Sequence, residues 1–266
     1  GRTSQGTIAW GISLNTFPVV TVPAYWILGR SKFEGYVTVK RMAESDFGTK
    51  YQGLLDSLSA YRIPKGHLPY GSKAAEVIAD LPFLAGNQTE LLIDGEKTFN
   101  SILSGIEKAA TYVLFQFYIV HDDDLGRQIK DLLIRKAGEG VSVYFLYDEI
   151  GSSDLPNDFL EDLRSAGIKA HAFNTRKGPR NRFQINFRNH RKVVVVDGKE
   201  AWVGGHNVGD EYLGKNPKFG HWRDTHMKIT GPAALSAQLS FATDWHWATE
   251  DPLLHLNWKA CPAEAS

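Results

Sequence analysis

Asn189-His190-Arg191-Lys192-Val193-Val194-Val195-Val196-Asp197 runs from four polar residues into four consecutive valines and a turn. A β-branched run of this kind predicts a buried strand, and Asp197-Gly198 suits a tight hairpin. Side chains alternate across a strand, so His190 and Lys192 share one face at its mouth. Further on comes Gly204-Gly205-His206-Asn207. Together the residues read H-x-K-x4-D-x6-G-G-x-N, and H-x-K-x4-D alone should arise by chance roughly 0.04 times in a chain of this composition.

Working outward, Glu200 to Val203 and Thr225 to Thr230 are predicted strands joined by short turns, and Pro232 opens a helix from Ala233 to about Trp247. Upstream, Leu91 to Ile93 reads as a strand, and Phe99, Ile102, Ile106 and Ala110 recur at helical spacing. Tyr112 to Val120, Val141 to Tyr147 and Ile168 to Phe173 are apolar, β-branched or aromatic strands. Between them lie a helix carrying Leu125, Ile129, Leu132 and Leu133 and another over Asp158 to Ala166. The alternation predicts an α/β fold with a largely parallel sheet, turning to hairpin-linked strands after Lys192. The acidic run Asp122 to Asp124 reads as helix capping, His121 as structural, and Asp148-Glu149 as a turn at a strand end. Trp222, Trp245 and Trp247 read as core or interface.

The 266 residues are 42% hydrophobic and 23% charged, which suits a chain with a real core. Thirty basic residues balance thirty acidic ones, which argues against a general nucleic-acid binder. Cys261 stands alone, so neither a disulfide framework nor a four-cysteine zinc site is open to the chain. No comparable metal-ligand motif occurs. No charge falls between Thr3 and Gly29, and Trp10, Tyr25 and Trp26 stand near the ends of the apolar stretch. We expect residues 1–30 to be a transmembrane helix, with a hairpin broken at Pro18 and Pro23 as the alternative. Arg30, Lys32, Lys40 and Arg41 follow it and only Arg2 precedes it, which places the remaining chain on the cytoplasmic side. Residues 31–88 read as a linker with some helix, and 89–266 as a catalytic lobe. The opening Gly1 and the closing Ala-Glu-Ala-Ser suggest an excerpt of a longer protein.

The polar groups of the motif match a phosphodiester. A neutral imidazole can approach an anionic phosphorus without charge repulsion, a lysine and an amide can hold its oxygens, and glycines let backbone come close. The candidate catalytic residues read from the motif are His190, Lys192, Asp197 and Asn207. Asp197 is separated from Lys192 by four strand residues and is expected to do structural work. Gly204, Gly205, Arg188 and Arg191 are the candidate substrate-binding residues. Arg176, Lys177, Arg180 and Arg182 add to a basic approach that could collect anionic headgroups.

The motif resembles the signature of the phospholipase D superfamily. Its flanks, Phe115 to Gly126, Tyr147 to Ser152, Gly204 to Gly214 and Trp222 to His226, resemble the bacterial cardiolipin synthases, as does the N-terminal segment Arg2 to Val37. The resemblance implies a mixed sheet flanked by helices and preceded by a membrane helix. It implies phosphatidyl transfer between two phosphatidylglycerols through a phosphohistidine, at the inner membrane, with no cofactor, metal or nucleic acid. It also implies that Asp224 holds His190. Such sites pair two H-x-K-x4-D motifs, and this chain carries one; His226-Met-Lys228 lacks the Asp. A second lobe, from elsewhere in the protein or from a second protomer, would complete the site. A lipid hydrolase, a nuclease of the same fold and a membrane scaffold are the competing readings.

Overall fold

The computed structural model describes residues 4–28, 48–79, 81–173 and 189–263. The N-terminal stretch forms two helices, α1 (Ser4–Thr16) and α2 (Pro18–Leu28), not one. Proline lacks an amide hydrogen and disfavours helix at the residue before it, so α1 stops short of Pro18, which then opens α2. The two helices fold back on each other, with Trp10 edge-on to Tyr25 at 5.2 Å. Among the described residues no helix is long and apolar enough to cross a membrane. Helices α3 (Gly48–Ser59) and α4 (Ser72–Ala79) follow within the region read as a linker.

The lobe proper is built on β1 (Gln88–Ile93), α5 (Asp94–Glu107), β2 (Tyr112–Phe117), α6 (Asp124–Gly138), β3 (Ser142–Asp148), α7 (Asn157–Ser165) and β4 (Lys169–Phe173). Then come β5 (Val193–Val196), β6 (Glu200–Gly204), β7 (Thr225–Thr230) and α8 (Ala234–Thr249). The seven strands make one mixed sheet in the order β1-β7-β6-β5-β2-β3-β4. Only β2–β3 and β3–β4 are parallel; the other four pairings are antiparallel. The expectation of a largely parallel sheet is therefore corrected. Parallel neighbours need long crossovers, whereas β5 and β6 join through a three-residue turn, Asp197-Gly198-Lys199. Asp197 and Gly198 make it at φ 54° and 68°. β1 contributes to the reversal of order too, because it crosses to the far edge and pairs with β7 rather than β2.

The alternation of side chains gives the sheet two cores. Val113, Phe115, Val194, Val196 and Trp202 meet Phe99, Ile102, Ile129, Leu133 and Phe159 of α5, α6 and α7. Leu114, Tyr144, Val193 and Val195 meet Phe241 and Trp245 of α8 and Leu54 and Leu58 of α3. Trp247 joins this second core and Trp222 packs on the edge of the first. Asp123 caps α6, accepting from Gly126 N at 3.0 Å. Asp210 reaches back to the amides of Asp124 and Leu125, both at 3.3 Å. The acidic run thus caps a helix, as expected. His121 lies 3.8 Å from Glu211 at the same corner.

Candidate active site

The register brings five strand ends to one edge of the sheet. Gln116 lies opposite Val193 and Val193 opposite Val203, while Gly204 pairs with His226 and Phe117 with Tyr147. His190 and Lys192 stand at this edge, where β5 begins. The His190 side chain is exposed and its ring rests on Tyr118 at 4.6 Å. Lys192 is buried; its Nζ donates to the His190 carbonyl at 2.9 Å and lies 5.1 Å over the same Tyr118 ring. Partial desolvation where the ring lies on Tyr118, and then the charge of Lys192, hold the His190 pKa below the ordinary imidazole value, against an opposing pull from Asp148. Burial lowers Lys192 to about 8, with Asp224 and Asp148 opposing. The arrangement therefore presents an uncharged imidazole beside a desolvated ammonium.

Asp148 was read as a turn residue, and it does accept from Ile150 N and Gly151 N at 2.9 Å. Its other oxygen accepts from Asn189 N at 2.8 Å, so it also fixes the motif next to His190. Asn207 sits beside Ile119 because residues 119–121 pair with Val208 through Val208 N to Ile119 O and His121 N to Val208 O, both at 3.1 Å. Its amide is committed to the protein: Oδ1 accepts from Ile119 N at 3.1 Å and Nδ2 donates to Tyr212 Oη at 2.9 Å.

The two glycines make room inside the protein. A Cβ on Gly204 would lie 2.5 Å from His226 Cα, and one on Gly205 would lie 2.6 Å from Asp224 Cγ. The close approach read for a ligand is thus taken up by His226 and by the Asp224 carboxylate. Asp224 accepts from Thr225 N at 2.7 Å and acts electrostatically on Lys192, His206 and His226. Its backbone is tied to Asp94, whose amide donates to Asp224 O at 3.0 Å. The carboxylate whose charge acts on His190 is Asp148. His206 and His226 are buried with their Nδ1 atoms 3.3 Å apart, so one ring donates and the other accepts. Burial lowers both, His226 to about 3, which keeps the pair uncharged.

Asp197 lies at the other end of β5. It accepts from Ala110 N at 2.9 Å and from Thr111 N and Tyr112 N at 2.8 Å, and from the Thr111 hydroxyl. Burial pushes its pKa up, but these bonds outweigh that and leave it lowered. The structure thus separates Asp197 from the other candidates and gives it hairpin chemistry. Arg191 alternates to the opposite face from His190 and Lys192, where its Nη1 meets the buried Asp244 carboxylate at 2.6 Å. Arg188 and the basic residues Arg176, Lys177, Arg180 and Arg182 lie outside the described residues. Sequence reading missed Tyr118, Asp94 and Asp244, none of which belongs to the motif. Among the described residues no cluster of three or more His, Cys, Asp or Glu could hold a metal ion.

The chain thus presents a mixed sheet with a histidine and lysine at the mouth of its central strand and a Gly-Gly pair beside them, a lobe of the phospholipase D type. The family model described as "Cardiolipin synthase, PLD-like domain" matches residues 102–229. The chain is 48% identical over 257 residues to cardiolipin synthase A of Pseudomonas fluorescens strain SBW25, covering 94% of this chain and 53% of that one. It is 46% identical over 255 residues to cardiolipin synthase A of strain Pf-5, with the same coverage of 94% and 53%. NucT from Helicobacter pylori superposes with a TM-score of 0.47 at 19% identity, over 61% of this chain and 98% of that one. The assignment rests on the sequence relatives. The chain belongs to the phospholipase D superfamily and, within it, to the cardiolipin synthase A family, and it is an enzyme domain holding part of an active site. It spans about half the length of the curated relatives it matches.

Proposed function

We propose that the protein is a membrane-bound cardiolipin synthase that transfers a phosphatidyl group between two phosphatidylglycerols. His190 Nε2 attacks the phosphorus of the first lipid, and the P–O bond to its headgroup glycerol breaks. Glycerol leaves with a proton from a histidine of the second H-x-K-x4-D lobe, which lies outside these 266 residues in the same protein or in a second protomer. The glycerol hydroxyl of the second lipid then attacks the phosphohistidine, gives its proton back to that histidine and frees His190. One phosphodiester replaces another, so neither nucleotide nor cofactor is needed.

The observation that carries this reading is His190 seated on Tyr118 beside buried Lys192 at the mouth of β5, in a chain nearly half identical to cardiolipin synthases. A neutral nucleophile avoids the repulsion an anion would meet at phosphorus, and Lys192 would stabilise charge on the non-bridging oxygens in the transition state. Asn207 and Asp224 support them, Asn207 by tying Ile119 N to Tyr212 Oη and Asp224 by favouring the charged form of Lys192. Arg188 belongs to the basic approach that gathers anionic lipid, whereas Arg191 is taken up by Asp244. Residues 1–30 anchor the lobe at the cytoplasmic face of the bacterial inner membrane, residues 31–88 link it, and 89–266 form the first catalytic lobe.

The test uses the full-length protein in phosphatidylglycerol vesicles without nucleotide or metal, with lipids followed by mass spectrometry. Cardiolipin and glycerol appearing together, and lost in His190→Ala, are expected. Phosphatidic acid without cardiolipin would move the assignment to a hydrolase, and absence of lipid turnover would overturn it.

A further inference from the structure

Residues 189–192 lie ahead of β5 and outside its ladder, so sheet hydrogen bonds do not fix the backbone of His190. Lys192 Nζ holds its carbonyl, and two carboxylates from other elements hold the residues on either side of it. Asp148, at the end of β3, accepts from the Asn189 amide at 2.8 Å. Asp244, in α8 and with a side chain 0% exposed, accepts from Asn189 Nδ2 at 2.7 Å. It also accepts from Arg191 Nη1 at 2.6 and 2.7 Å on its two oxygens, and from Gln116 Nε2 at 2.8 Å. Asn189 Oδ1 closes the loop by accepting from Arg191 N at 3.2 Å. The residues on both sides of His190 are therefore gripped by one buried carboxylate, which β2 also holds through Gln116.

A buried carboxylate is a poor choice for stability alone, because well-packed apolar residues of similar volume serve as well or better. What a charge-assisted network supplies that an apolar contact does not is direction. We propose that Asp244 is a positioning residue for the reaction: acting through Asn189 and Arg191, it holds the His190 backbone so that the imidazole stays seated on Tyr118 and aimed at the phosphorus. The proposal rests on the reading of His190 as the reacting group. Asp244 touches no substrate; it acts at a distance through the two flanks of the motif.

The experiment compares the full-length protein with Asp244→Asn, Asn189→Ala and the double variant, in phosphatidylglycerol vesicles and with bis(4-nitrophenyl) phosphate as a second, soluble substrate. Near-ångström misplacement of a reacting group slows chemistry by up to about 100-fold. We expect each folded variant to lose roughly 10- to 100-fold in kcat, with KM held within about twofold, and the trapped phosphohistidine to form correspondingly more slowly. The double variant should be little worse than the worse single one, because both changes cut the same link. Wild-type kcat in either folded variant, or losses that multiply in the double, would overturn the proposal. Should Asp244→Asn not fold, Asn189→Ala decides, since it leaves the Arg191–Asp244 pair in place. His190→Ala runs alongside: full activity there would fail the functional reading itself, whereas its inactivity beside fully active Asp244 and Asn189 variants would fail only the positioning role.

Discussion

Replacing Asp197 by alanine separates a structural motif acid from a catalytic one. Its carboxylate takes hydrogen bonds from Ala110 N, Thr111 N, Tyr112 N and the Thr111 hydroxyl. Bonds to a charged acceptor contribute about 1.5–3 kcal/mol each when sheltered from water. Three of these four are exposed, so water can replace the carboxylate there; the bond from Tyr112 N is partly buried. Asp197 also holds a left-handed backbone at φ 54°, which costs an alanine roughly 1–2 kcal/mol. The expected loss is about 3 kcal/mol, with Asp197→Asn losing about half of that. Four strand residues span about 13 Å, so the folded variant should turn over substrate within about twofold of wild type. Urea unfolding by near-UV circular dichroism gives the stability, and lipid turnover corrected for the folded fraction gives the activity. An unchanged unfolding midpoint with a large loss of activity would refute the structural assignment. The pH dependence has a fixed sign. The folded pKa lies below the unfolded value near 4, so this stabilisation is present above about pH 4 and is lost as pH falls through the folded pKa.

The lowered pKa of His190 and the value of about 8 for Lys192 predict a bell-shaped kcat/KM profile. Activity falls on the acid side as the imidazole protonates below its ordinary value near 6.5, and on the alkaline side as the proton-donating histidine and then Lys192 lose their charge; Lys192→Arg should remove the Lys192 contribution near pH 8 and leave the histidine's limb, and an unchanged profile near pH 8 would refute the assignment to Lys192. Tyr118→Phe should stay within about twofold of wild-type kcat, whereas Tyr118→Leu, which removes the ring under His190 and Lys192, should lose about tenfold; equal activity in the two would show that the ring is dispensable. Gly205→Ala must push the Asp224 carboxylate aside and is expected to lose activity with little change in melting temperature, while Gly204→Ala meets the backbone of His226 and is expected to lower the melting temperature itself. Thermal scans paired with lipid turnover check both, and a reversed pattern would sink the argument.

Much of the fold was legible because its signals are local. Four valines in a row, helical recurrence at Phe99, Ile102 and Ile106, and the turn at Asp197-Gly198 each act within a few residues. The place of β1 was not legible, since nothing in Leu91 to Ile93 says which strand it will meet. The site divides the same way. His190 and Lys192 on one face follow from alternation, and alternation should equally have turned Arg191 away from the substrate side. Gly204 and Gly205 were read as space for a ligand because a missing side chain records only that something comes close. Asp244 reaches Arg191 across 53 residues of sequence, and Tyr118 gains its meaning only once β2 and β5 are paired. Long-range partners of that kind leave no pattern in a single chain.

The central position of β5 also governs how the lobe is made. β2 is an uncharged run, Tyr-Val-Leu-Phe-Gln-Phe, and its second neighbour is β5. Tyr112 and Asp197, which meet at the end of that seam, are 85 residues apart. On a ribosome the parallel half can close β2, β3 and β4 while β5 is still unsynthesised, leaving β2 as a bare edge. Uncharged open edges of this kind recruit other chains. Prompt delivery of Val193–Val196 is therefore a safeguard against aggregation during biosynthesis, and the same strand that shields the nascent sheet sets His190 in place when it arrives.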